Sequence, residues 1–380
     1  MTDIRIPFNK PQLTGKELYY IKKAVSSGWI SGDGLFTKKC NKFIENKYSV
    51  KRVLLTTSCS SALDMSAILL NVKPGSEVIL PTFTFVSTAN SFLVRGARLR
   101  FIDIREDTLN IDETKIEDSI NQRTKAIIVV HYAGVSCEMN KIMDIARRNN
   151  LSVVEDAAHG IGCTYEGMYL GTIGDIGCYS FHETKNVTCG EGGAILINND
   201  KFSERAEIIR EKGTNRNKFY RGEIDKYTWV DIGSSYLPSE ILSAFLYAQL
   251  ENIETIARNR LDTWQYYYKG LEDLEKKEFL RRPIIPENCK HNGHMFYILL
   301  NDNKTRDLLI SYLKSRGISV VFHYLPLHLS PMGLRMGYKK GDFPITEKIS
   351  DCILRLPIFY KIRKSHQDTV IEEIHNFYEN

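Results

Sequence analysis

Between Val53 and Asn198 short apolar runs alternate with stretches of mixed polarity: 77–80, 99–103, 126–131, 152–155, 179–181 and 194–197. Runs of this length, separated by helix-like stretches such as 112–120 and 139–149, predict a mostly parallel sheet covered by helices. Upstream, Thr14 sits three residues before Glu17, the spacing of a helix-opening pair. The helix it predicts turns Leu18, Ile21 and Val25 toward a core, ends at Gly28, and gives way to the glycine-broken loop 29–34. Downstream, 239–277 reads as one long helix, apolar at Ile241, Ala244, Leu246, Ala248 and Leu250, then polar from Glu251 to Asp262. A domain boundary is expected inside it, with a large unit over 1–250 and a smaller α+β unit over 251–380. The latter carries expected strands at 294–300 and 318–325, a helix over 305–315 closed by Gly317, and a last helix over 365–378.

Composition narrows the function classes. The 51 basic against 46 acidic residues leave a net charge of +5 over 380 residues, so no bulk attraction to nucleic acid or to a membrane is expected. Eight cysteines are scattered without a CxxC pair or a metal-ligand rhythm, which reads as reduced thiols in a cytoplasmic protein with no metal site. No apolar stretch is long enough to cross a bilayer, and the first residues lack the apolar segment of a secretion signal.

The candidate chemistry centres on Tyr179-Ser180-Phe181-His182-Glu183-Thr184-Lys185-Asn186 and the glycine-rich run that follows it, 189–193. A lysine between two buried strands meets the condition for a neutral amine, because burial disfavours the ammonium form, and a neutral amine can form a Schiff base with a carbonyl. Taken alone, Lys185 reads better as a surface lysine in a turn between two strands. Two upstream features shift the balance. Asp156 lies at the carboxyl end of the run 152–155, where α/β sheets bind ligands, and a carboxylate there can hold a pyridinium nitrogen protonated. Thr57-Ser58-Cys59-Ser60-Ser61 opens an apolar helical stretch, a setting suited to a phosphate at a helix N-terminus. Lysine, carboxylate and phosphate cradle together point to pyridoxal phosphate.

With these residues the chain resembles the DegT/StrS class of sugar-nucleotide aminotransferases. The resemblance runs nearly end to end, and implies the fold type I aminotransferase architecture: an α/β large domain with a mostly parallel mixed sheet, plus a small C-terminal α+β domain. Within the class, 180–186, 210–216, 225–229 and 231–237 are similar to transaminases that make dTDP-4-amino-4,6-dideoxygalactose for surface glycans. The resemblance implies that Lys185 is both Schiff-base partner and general acid/base, that Asp156 holds the ring nitrogen, and that His159 holds the ring oxygen. It further implies that Phe85 stacks on the ring and that Cys59, Ser60 and Ser180 hold the phosphate. Ser235 matches a phosphate ligand given across an interface, which implies a homodimer with shared active sites.

For the substrates the resemblance implies L-glutamate as donor and dTDP-4-keto-6-deoxyglucose as acceptor, with the galacto product first, the gluco epimer second, and a 3-keto sugar as a further option. The stretch 210–231 mixes basic and aromatic residues, so a nucleotide diphosphate is plausible there, with Lys212 and Arg216 as candidates. Trp29, His182, Glu183, His323, Tyr324 and His328 complete the substrate candidates. A non-enzymatic alternative is a cofactor-binding regulator of the same fold. Deoxygenating relatives carry a histidine in place of the lysine, and Lys185 speaks for transamination.

Overall fold

A computed structural model describes residues 5–379. Seven strands form the central sheet: β1 (Arg52–Thr56), β2 (Glu77–Pro81), β3 (Arg98–Ile102), β4 (Thr124–Val130), β5 (Ser152–Asp156), β6 (Ile176–Ser180) and β7 (Gly193–Ile197). Their order is β1-β7-β6-β5-β4-β2-β3. From β3 across to β6 every pairing is parallel, whereas β7 runs antiparallel to both β6 and β1. The difference follows from the connections. A parallel neighbour needs a crossover connection, which the helix Val86–Leu93 supplies between β2 and β3, the helix Met139–Arg148 between β4 and β5, and the helix-free segment 157–175 between β5 and β6, while β6 returns to β7 directly through the loop 181–192.

Both faces of the sheet are covered, which is why its strands are apolar at consecutive positions. Val78, Leu80, Ile128 and Val154 pack on one side, and Ile79, Ile127, Val129 and Val153 on the other. The parallel strands β2, β4, β5 and β6 therefore deliver Pro81, Val130, Asp156 and Ser180 to one edge. The smaller sheet has Phe296–Leu300 at its centre, antiparallel to Leu280–Arg281 and Ile353–Leu356. Its apolar face is buried with residues of the helices Ile253–Gly270, Asn303–Ser315 and Lys364–Glu379. The mixed, mostly parallel sheet with a separate small sheet is the expected architecture. Among the described residues no helix is long and apolar enough to cross a membrane.

Several expected elements differ. The first helix is Glu17–Ser26, and Glu17 does reach back, accepting from both the N–H and the hydroxyl of Thr14 at 2.7 Å. Yet it buries Glu17 and Ala24 and leaves Leu18 70% and Val25 53% exposed, so that of the three expected inward residues only Ile21 packs on the core, beside Ala24, Phe36 and Ala244. The reason is polar: the Glu17 carboxylate also accepts from Gly15 N–H and from the Gln249 amide, so that face is turned inward onto Glu240–Leu250. The stretch 112–120 forms two short 3₁₀ turns, the first capped by the Asp112 carboxylate on Thr114 N–H. The long helix over 239–277 is three helices, Glu240–Leu250, Ile253–Gly270 and Glu272–Lys276. Residues 318–325 make only single bridges, Ile318 to Ile6 and Val321 to Arg355, and the strand beside Phe296–Leu300 is Ile353–Leu356.

Candidate active site

A cavity of about 380 Å³ opens at the edge where β2, β4, β5 and β6 end. One wall is the sheet edge with the N-terminus of the helix Cys59–Leu69, and the other comes from His294, Met295, His323, Tyr324 and Arg355.

Lys185 lies in the loop after β6. That loop is held by backbone bonds, from Phe181 N–H to Gly192 C=O at 2.8 Å and from Lys185 N–H to His182 C=O at 2.9 Å. The next residue, Asn186, is buried, donates to Asn292 C=O and meets His294 Nδ1, each at 3.0 Å. Burial lowers the Lys185 amine to about 8, against the opposing pull of Cys59 and Asp156.

Asp156, at the end of β5, accepts from the Thr88 hydroxyl at 2.7 Å and from Ala158 N–H at 3.2 Å, and Thr84 bonds Thr88 in turn at 2.8 Å. Burial pushes its carboxyl upward despite these bonds, so a cation beside it is favoured.

Ser58 caps the helix Cys59–Leu69 by accepting from Ser61 N–H at 3.0 Å, which leaves Cys59 and Ser60 at the head of the first turn. First-turn N–H groups have no intrahelical partner, and the positive end of the helix faces the cavity. Gly193 backs this peptide so closely that a Cβ there would lie 2.3 Å from Ser58 C and 2.4 Å from Cys59 N. Ser180 reaches the same cavity from β6. Phe85 lines it with its ring 57% exposed, a flat apolar surface with room above it. His159 is buried with Nδ1 unpartnered and its ring stacked on His294 at 4.3 Å, and burial holds both imidazoles neutral. A free helix N-terminus, a buried carboxylate, an orphaned imidazole nitrogen and a lysine amine fit the phosphate, ring nitrogen, ring oxygen and aldehyde of pyridoxal phosphate.

The cavity thus gathers Cys59, Ser60, Phe85, Asp156, His159, Ser180, His182, Lys185, His323 and Tyr324. It does not gather the other candidates. Glu183 is exposed beside a small adjoining recess, and its C=O accepts from Asn9. Trp29 is half exposed in the loop 29–34, its indole N–H bonded to Gly32 C=O at 3.2 Å. Lys212 and Arg216 each lie 3.8 Å from the Glu211 carboxylate, and Arg216 also donates to the Tyr220 hydroxyl. Ser235 is exposed on a bridge to Glu211. His328 is fully buried and walled off, with Nδ1 2.9 Å from the Thr82 hydroxyl and Nε2 3.0 Å from Glu347. Its imidazole ties two parts of the chain together.

Sequence reading missed Thr88, Arg260, His294 and Arg355. Thr88 carries a faint signal, a second hydroxyl four residues after Thr84 and so on the same helical face. Arg355 carries another, a lone cation inside the apolar run Ile353–Leu356. Arg260, in a helix read as a bridge between domains, is buried with its guanidinium on Gly293 and His294 C=O, and burial lowers it to about 9.

The model of the DegT/DnrJ/EryC1/StrS aminotransferase family matches residues 11–375. An uncharacterized protein of Methanocaldococcus jannaschii is 35% identical, covering 97% of this chain and 96% of its own. GDP-perosamine synthase of Caulobacter vibrioides is 32% identical, covering 98% of each chain. Among solved structures, DesV of S. venezuelae superposes with a TM-score of 0.90 at 26% identity over 99% of both chains. The chain therefore belongs to the DegT/DnrJ/EryC1/StrS aminotransferase family, sugar aminotransferases that work with pyridoxal phosphate.

Proposed function

We propose that this enzyme transfers the amine of L-glutamate to dTDP-4-keto-6-deoxyglucose, giving dTDP-4-amino-4,6-dideoxygalactose for surface polysaccharide synthesis. The observation that carries the reading is the meeting, in one cavity, of a lysine amine lowered to about 8, a buried hydrogen-bonded carboxylate and a helix N-terminus. Pyridoxal phosphate, when bound, supplies the electron sink that acidifies the carbon bearing the nitrogen. Lys185 would hold the cofactor's carbonyl carbon and, once free as an amine, would carry the proton from the donor's Cα to that cofactor carbon, and in the opposite direction for the keto sugar. Asp156, steadied by Thr88 and Ala158, keeps the ring nitrogen protonated. His159 would hold the ring oxygen, Phe85 would stack on the ring, and Ser180 with the head of the helix Cys59–Leu69 would hold the phosphate.

The 4-keto preference rests on the strings 180–186 and 210–237. With the nucleotide diphosphate anchored, only one ring carbon can reach the reacting centre. The gluco epimer is the second product, and a 3-keto acceptor ranks below it. A GDP-linked keto sugar is a specific second reading, favoured by 32% and 30% identity to two proteins named GDP-perosamine synthase. Ser235, Lys212 and Trp229 are exposed and, with the half-buried Arg216, lie apart from this cavity, which suits contacts to the site of a second subunit. The working unit in this reading is a cytoplasmic homodimer, each subunit divided into 1–250 and 251–380. Incubation with glutamate and either dTDP-4-keto-6-deoxyglucose or its GDP-linked counterpart, followed by NMR of the product, tests the reading. Selective amination of a 3-keto isomer contradicts it.

A further inference from the structure

Arg355 stands out within the cavity wall. It occupies the small sheet opposite Tyr297, and its backbone exchanges hydrogen bonds with Val321 in both directions. Neighbouring Leu354 and Leu356 are fully buried on the other face, so the strand's alternation turns Arg355 toward the cavity. Its guanidinium has little of what it needs. One Nη2 contact reaches Phe322 C=O at 3.3 Å, Nε is shielded without a partner, and the Phe8 ring lies 4.9 Å away. Among the described residues no carboxylate pairs with it, and its neighbours Tyr132, His323 and Tyr324 are neutral. A guanidinium removed from water without a counterion is costly, and a bidentate carboxylate is the partner its planar fork matches.

We infer that Arg355 is the residue that binds a carboxylate of the amino donor, so that the enzyme selects amino acids over simple amines through this cation. The inference rests on the transaminase reading above. Which anion it serves follows from covalent distance. The α-carboxylate of an amino acid is bonded to the carbon whose nitrogen reacts at Lys185, whereas the diphosphate of a nucleotide sugar is separated from a 4-keto carbon by the hexose ring. Arg355 is near enough to Lys185 to oppose its protonation, so an anion on Arg355 sits beside the reacting centre. The same cation opposes protonation of His159, His294 and His323, and carboxylate binding there relieves that repulsion.

The test uses the cofactor-loaded enzyme with Arg355→Gln and Arg355→Lys, and reads the two half-reactions separately by the absorbance of the bound cofactor. Losing one partner of a desolvated charge pair predicts a rise of ~100-fold or more in the glutamate KM of Arg355→Gln, partly restored in Arg355→Lys. The step that consumes the keto sugar is expected to change far less, which separates a donor contact from general damage. Glutarate, a dicarboxylate with no amine, is expected to compete with glutamate in the parent enzyme and to lose that competition in Arg355→Gln. An unchanged glutamate KM, or a KM rise confined to the keto sugar, overturns the assignment. Absence of turnover with every nucleotide keto sugar contradicts the transaminase reading instead, and leaves glutarate binding as an independent readout on Arg355.

Discussion

Lys185 and Lys212 look alike in the sequence: each stands in a short polar stretch with a glutamate just upstream, Glu183-Thr184-Lys185-Asn186 and Glu211-Lys212-Gly213-Thr214. In the structure they part company. Lys185 follows a fully buried strand and faces a cavity with Asp156, and burial lowers its amine to about 8. Lys212 follows a helix end, sits in the left-handed region at φ +63°, is 55% exposed and approaches only Glu211. The difference teaches that the immediate polar neighbours say little. The preceding segment decides, because a buried strand end delivers its loop to the sheet edge, whereas a helix end delivers its loop to solvent.

The sharpest way to break this contrast is substitution. Lys185→Ala is expected to lose at least ~10³-fold in turnover, on the scale of general acid/base removal, while Lys212→Ala keeps the chemical step and alters at most the KM for the nucleotide sugar. Product formation under saturating glutamate measures both, and equal losses would dissolve the distinction. Asp156→Ala is expected to lose ~10² to 10⁴-fold. Thr88→Val follows with about tenfold, since it removes one hydrogen bond to the buried carboxylate while leaving the carboxylate in place.

A second contrast concerns pH. The folded amine of Lys185 is lowered, so it is protonated and unreactive below about 8 and neutral above. Labelling of the cofactor-free protein with an amine-reactive reagent at increasing pH, read by peptide mass spectrometry, is expected to show Lys185 with a midpoint near 8. A Lys185 midpoint at the ordinary lysine value of about 10.4 would remove the burial argument.

The smallest effect concerns two histidines five residues apart in sequence, His323 at the cavity wall and His328 inward of it. His328→Phe leaves Glu347 and Thr82 without their partner and is expected to cost ~1–3 kcal/mol in denaturant unfolding, with the glutamate and sugar KM little changed. His323 faces the cavity, and its substitution is expected to act on KM instead.

How much of this was legible follows from particular residues. The sheet edge was legible because β4 to β7 are continuous apolar runs ended by Asp156, Ser180 and the glycines 190, 192 and 193, a pattern set by burial on both faces. The face of the helix Glu17–Ser26 was not, because apolar periodicity favours Leu18 and Val25, and only the fold places Gln249 where it can hold Glu17 inward. His323 and His328 share one short segment, and nothing local distinguishes the ring that meets the cavity from the one clamped by Thr82 and Glu347, 246 and 19 residues away. Arg355 was illegible for the same reason: a cation in an apolar strand gains meaning only from Tyr132, His323 and Lys185, which the chain brings from three other segments.

The most direct measurement is to reduce the cofactor-loaded enzyme with sodium borohydride and to locate the pyridoxyl group by peptide mass spectrometry. The account predicts a single modified peptide carrying the group on Lys185. Modification at Lys212 or any other lysine, or a loaded enzyme that takes no covalent mark, contradicts it.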